Sequence, residues 1–122
     1  MKLRILGNSI RLRVSKSELT ELADTGGVAD AIEFSPGVRL CYRLRSAADS
    51  VTGANFLGGE IAVTVPAAAL QELVETERVA IRGEQPLGNG ESLAILIEKD
   101  FECLVPRPGE DPRDLFDNPA RD

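Results

Sequence analysis

Histidine and tryptophan are absent from this 122-residue chain, and cysteine occurs only twice. Without histidine there is no Ser-His or Cys-His nucleophile pair and no histidine-based metal site. Any chemistry falls to carboxylates or lysines. Aromatic residues make up 4%, too few for the base-stacking platforms of single-stranded nucleic-acid binders. Cys41 and Cys103 cannot build a disulfide framework and lack metal-ligand spacing, so a reduced, cytoplasmic setting is the default expectation. No run of about 18 apolar residues occurs, which excludes a spanning helix. The opening MKLRIL breaks at Gly7 and Asn8, before a signal-peptide apolar region of roughly 7–15 residues can form.

What remains is an ordinary globular composition, 43% hydrophobic and 28% charged, with a core of Val, Leu, Ile and Ala. One α+β domain is expected over residues 1–105, followed by a Pro-rich acidic tail over 106–122. Charge is unevenly spread. Residues 1–45 carry eight Lys or Arg against five Asp or Glu, whereas residues 46–122 carry six against fifteen, for a total of −6. Such asymmetry is that of a basic face beside an acidic shield.

Period-two alternation marks half-buried strands. Leu3 and Ile5 alternate with Lys2 and Arg4, and beyond the Gly7-Asn8 turn Ile10, Leu12 and Val14 alternate with Arg11 and Arg13. Ser15 and Glu18 then stand at capping-box spacing, flanked by the Val14–Leu19 staple positions. Gly26 and Gly27 suit a left-handed helix stop. A second hairpin is expected over 31–34 and 38–45, a loop over 46–59, a strand over 60–65 and a second helix from Pro66. The third hairpin joins 79–82 to 92–99, where LAILI, apolar on both faces, reads as a central strand covered on both sides. The sum is a mostly antiparallel sheet of about seven strands with two helices. No internal repeat stands out, although the strand-helix-strand order recurs.

Three groups of residues carry chemistry. If the first two hairpins share a sheet, Arg4, Arg11, Arg13, Arg39, Arg43 and Arg45 form one basic face whose guanidinium forks suit an anion. The competing view pairs them with cross-strand carboxylates on a solvated surface. Glu98, Asp100 and Glu102 alternate past Ile97 and can hold a divalent metal or act as acid and base, or can serve as those arginines' partners. In the tail, Leu115 and Phe116 interrupt an acidic run, which predicts that they dock in an apolar groove. Cys41 lies among arginines, where a thiolate is electrostatically favoured. No cofactor is called for.

The stretch MKLRILGNSIRLRVSKSELTEL resembles the start of AbrB/MazE-like swapped-hairpin proteins through Gly7-Asn8-Ser9, Arg13, Val14 and Lys16. That resemblance implies an interlaced homodimer in which Arg4, Arg11 and Arg13 would contact DNA. Over nearly the whole chain, the MK-R-GNS-RLR opening, the EKDF-CL-PR block at 98–107 and the acidic ED-D-F-NP tail are similar to a small bacterial family of unknown function. The resulting expectation is a non-enzymatic module that binds an anionic ligand or acidic protein partner through its arginines. A DNA-binding regulator is the first alternative. A metal-assisted phosphohydrolase is the second, although the E-x-E-x-K opening of triphosphate-tunnel enzymes is missing.

Overall fold

The computed structural model describes residues 1–48, 50–101, 114 and 116. The chain opens with β1 (Lys2–Ile5) and β2 (Ser9–Val14), whose antiparallel register places Arg4 opposite Arg11 and Ile5 opposite Ile10. Helix α1 (Lys16–Thr25) starts as its sequence specifies. The Ser15 hydroxyl accepts from the Glu18 N–H at 3.4 Å, and the Glu18 carboxylate accepts from the Ser15 N–H at 2.9 Å. Gly26, at φ 87°, closes it with its N–H on the Leu22 carbonyl. There follow β3 (Gly27–Ser35), β4 (Val38–Ala47), β5 (Gly53–Leu57), β6 (Glu60–Pro66), α2 (Ala67–Glu75), β7 (Ala80–Pro86) and β8 (Ser92–Lys99).

The class is α+β, but the single sheet of about seven strands is corrected. Among the described residues eight strands form two four-stranded sheets, ordered β1-β2-β8-β7 and β3-β4-β6-β5. The added strand is β5, inside the stretch expected to be a loop; Gly53, Gly58 and Gly59 mask it, yet it pairs with β6 from Gly53–Thr64 to Leu57–Glu60. The two helical crossovers separate hairpins that do not belong together. Hairpin β1–β2 lies beside β8 in parallel, and hairpin β5–β6 lies beside β4 in parallel. Each sheet therefore joins one hairpin from either half of the chain.

This arrangement exposes a duplication. Residues 2–27 align with residues 51 positions on, with identities at Leu6/Leu57, Gly7/Gly58, Ile10/Ile61, Val14/Val65, Leu19/Leu70, Glu21/Glu72, Leu22/Leu73 and Thr25/Thr76. Beyond the helix the offset becomes 53, matching Val28 to Ile81, Leu40 to Leu93 and Leu44 to Ile97. The core follows the same rule: Ile10, Leu12, Val14, Leu19, Leu22, Val28 and Leu44 are buried, and so is the counterpart of each. Even the helix ends agree, since Thr25 and Thr76 each donate a hydroxyl bond to the carbonyl four residues back.

The β5–β7 seam closes tightly. Gln85 Oε1 accepts the Ala54 N–H at 2.7 Å, and a Cβ on Gly83 would stand 2.7 Å from Thr52. At the β1–β3 side the Met1 ammonium pairs with Glu18 and, at 3.6 Å, with Asp30, while the Tyr42 hydroxyl donates to the Met1 carbonyl. All four hairpin turns lie at one end of the molecule and both helices at the other, because β2, β4, β6 and β8 all run the same way between them.

Candidate anion-binding surface

The premise that the six arginines share a face does not hold. Arg4, Arg11 and Arg13 lie on the first sheet and Arg39, Arg43 and Arg45 on the second, because hairpin β1–β2 pairs with β8 and hairpin β3–β4 with β6. On β2 the inward Ile10, Leu12 and Val14 leave Arg11 and Arg13 facing outward.

Several of these arginines meet carboxylates as cross-strand neighbours. Arg13 Nε stands 2.8 Å from Glu98 Oε1, and Arg11 Nε 3.6 Å from the same oxygen. On the other sheet Arg43 Nε meets Glu60 Oε1 at 2.7 Å, and Arg45 Nε donates to the Thr64 hydroxyl at 3.0 Å. Partly exposed pairs of this kind contribute about 0–1 kcal/mol each, so they order the side chains more than they stabilise the fold. Asp100, only 4% exposed, holds Lys2 at 2.7 Å. Glu98 and Asp100 are thus engaged with basic side chains, and no group of three metal-capable side chains occurs among the described residues. Glu102 and Cys103 lie outside them. Cys41 is a half-buried free thiol on β4.

One feature was not legible in the stripe pattern. Reading across the first sheet, Arg4 faces Arg11, Arg11 faces Leu96, and Leu96 faces Arg82. These four side chains form one transverse row. Strands lie about 4.8 Å apart, so the row spans roughly 14 Å. Arg4 and Arg82 make no ion pair with any described residue. Between Arg11 and Arg82 runs a trough of about 490 Å³ floored by Ala94 and Leu96 and bordered by Glu84. The expectation that LAILI is covered on both faces is corrected here: β8 is central, but Ala94 is exposed and Leu96 half-buried on this outer side. Arg82 escaped sequence reading because β7 carries a single arginine with no alternation to flag it; placing β7 beside β8 is what reveals it.

The Gly7-Asn8-Ser9 turn has a structural task. The Asn8 side chain donates to the Ser92 carbonyl at 2.9 Å, and its own carbonyl accepts from the Ala94 N–H at 3.1 Å, knitting the first hairpin to β8. Gly59, at the matching position, accepts likewise from Cys41 N–H at 3.0 Å. Strands that an interlaced dimer would exchange between chains are exchanged here between halves of one chain.

In the tail, Phe116 packs against the core, its ring 5.9 Å from that of Phe101 in an edge-on arrangement, with Lys99 Nζ 5.1 Å from its centre. Asp114 accepts from the Ser17 N–H at 3.0 Å and the Ser17 hydroxyl at 2.8 Å, at the first turn of α1, where a negative charge is favoured. Leu115 lies outside the described residues, as does the expected boundary at residue 106.

Fold and surface define a duplicated α+β module, two β-hairpin–helix–β-hairpin halves with exchanged sheets. The chain belongs to DUF7009, a family of unknown function whose model matches residues 1–120. No curated protein and no solved structure matches it. No helix is long and apolar enough to cross a membrane among the described residues.

Proposed function

We propose that this protein is a non-enzymatic binding module that receives an acidic protein segment across the outer face of its first sheet. The observation that carries the reading is the row Arg4–Arg11–Leu96–Arg82. Arg4 and Arg11 are like charges directly opposite across antiparallel strands, a pairing that costs stability. The one carboxylate near them, Glu98, is shared between Arg11 and Arg13 and leaves Arg4 without one among the described residues. A compact phosphate would favour forks converging on one point. Here Leu96 separates Arg82 from the adjacent Arg4 and Arg11, which suits an extended chain with acidic residues on either side of an apolar one. Duplex DNA is the weaker match, because Glu84 and Glu98 stand on the same face and repel a continuous line of phosphates.

The test is fluorescence anisotropy with a labelled synthetic peptide alternating glutamate and leucine. Wild type should bind it, and Arg4→Glu and Arg82→Glu should each weaken binding about tenfold or more, as expected when a charge-assisted contact worth roughly 1.5–3 kcal/mol is lost. Arg39→Glu, on the other sheet, should leave affinity unchanged. Equal affinity in all four proteins would remove the proposal.

A further inference from the structure

The end of the molecule that carries the four hairpin turns is unusually apolar. Of the eleven large hydrophobic side chains exposed among the described residues, eight lie there: Ile5, Leu6, Ile32, Phe34, Val38, Phe56, Leu57 and Leu87. Soluble surfaces scatter such residues singly, and a cluster of them marks an interaction site. The chain has only four phenylalanines, and two of them, Phe34 and Phe56, are 69% and 67% exposed at this end.

Two shapes stand out within the cluster. The first is a recess of about 530 Å³ between the sheets, lined on matching sides by Ile5 and Phe56, Ile10 and Ile61, and Leu40 and Leu93. These are duplicated positions, so the recess sits where the two halves of the chain meet, with Ala54, Asn55 and Gln85 of the second half completing its wall. The second is a projecting arm. Strand β6 pairs with β4 only from Cys41 onward, so the β3–β4 hairpin from residue 31 to 40 extends past the sheet, with Ile32, Phe34 and Val38 exposed.

We infer that this end is a homodimer interface in which Phe34 on the arm of one copy enters the recess of the other, and reciprocally. A second copy fits on three grounds. The eight side chains, at roughly 100 Å² of remaining exposure apiece, present on the order of 800 Å², the share one partner contributes to a standard interface. The charged residues on the arm, Glu33 and Arg39, stand opposite each other in register and cancel, so a copy meeting itself is not repelled. An apolar projection and an apolar recess on the same end also satisfy the self-complementarity that an isologous two-fold contact requires. This surface is distinct from the arginine row, and its test is independent of that reading.

Sedimentation velocity at micromolar concentrations decides the matter. Wild type is expected at twice the 13.1 kDa chain mass. Phe34→Asp and Phe56→Asp are each expected to raise the dimer dissociation constant by about thirtyfold or more, the scale of an interface hot spot. Circular dichroism should show both still folded, because these side chains are outside the core. Val51→Asp, an exposed apolar position away from this end, should leave the dimer intact. A monomeric wild type, or a dimer that persists in both Phe variants, overturns the inference.

Discussion

The two halves of the chain share their apolar frame and diverge almost completely on their outer faces. Inside, Leu12 faces the same environment as Val63, and Leu22 the same as Leu73, all four essentially without solvent exposure. Outside, the positions held by Arg4, Arg11 and Arg13 are occupied in the second half by Asn55, Ala62 and Thr64, and Arg82 corresponds to Ala29. Duplication preserves what close packing demands, since a core tolerates little change in volume or shape. Exposed positions on a strand bear no such constraint and can be recoloured without touching the fold. An arginine row on one sheet and not on its twin is therefore a difference of surface and not of architecture, and it is the difference on which the proposed function rests.

The strongest way to break this comparison is to truncate matched core positions. Leu22→Ala and Leu73→Ala should each cost about 2–5 kcal/mol, the range for deleting a fully buried leucine. Because the two sites are equivalent in burial and place, their costs should agree more closely than the spread of about 2 kcal/mol found among buried leucines at unrelated sites. Urea denaturation of both variants measures this. A loss confined to one of them would mean that the halves are alike in outline but not in energetic weight.

Much of the first half was legible locally. The capping box at Ser15 and Glu18, the left-handed stop at Gly26 and the alternation of β2 all rest on neighbours within a few residues, and the structure contains each of them. What escaped was non-local. The parallel pairings of β2 with β8 and of β4 with β6 leave no trace in either strand alone, so alternation by itself cannot tell that the arginines belong to two sheets. Strand β5 was hidden by its flanking glycines. The repeat is faint because its identities fall at Leu6, Gly7, Ile10 and similar framework positions, while the exposed residues between them differ; its trace is the offset of 51, which also matches β5 to β1. Arg82 and the apolar end follow only once the strands are placed.

A smaller contrast lies at the helix starts. Helix α1 has the Ser15 capping box, whereas α2 begins at Pro66 with no side-chain cap bond. Ser15→Ala should cost about 1 kcal/mol, within the usual range of roughly 0.5–2 for an N-cap hydroxyl. Pro66→Ala removes no cap and should change stability by only a few tenths. Thermal melts of the two variants sharpen the comparison; an equal loss in both would show that the cap bond contributes nothing beyond backbone geometry.

The smallest effect concerns the two inner positions Tyr42 and Ile95, which correspond at the 53-residue offset. Ile95 is fully apolar and buried, while Tyr42 keeps a hydroxyl that donates to the Met1 carbonyl at 2.9 Å. Burial raises the Tyr42 pKa above its ordinary value near 10, and the negative charges of Asp30 and then Glu18 push it the same way. The folded state therefore holds the phenol proton more tightly than the unfolded chain does. Stability from this source is fully present below about pH 10, the pKa of an unfolded tyrosine, and is lost as pH rises toward the raised folded value, because the unfolded state then sheds its proton first. Tyr42→Phe should cost about 1 kcal/mol at neutral pH through the missing hydrogen bond. It should also flatten the alkaline decline, so the wild-type and Tyr42→Phe stability curves should draw together above pH 10. Curves that stay parallel throughout the alkaline range would show that Tyr42 ionises alike in the folded and unfolded chains.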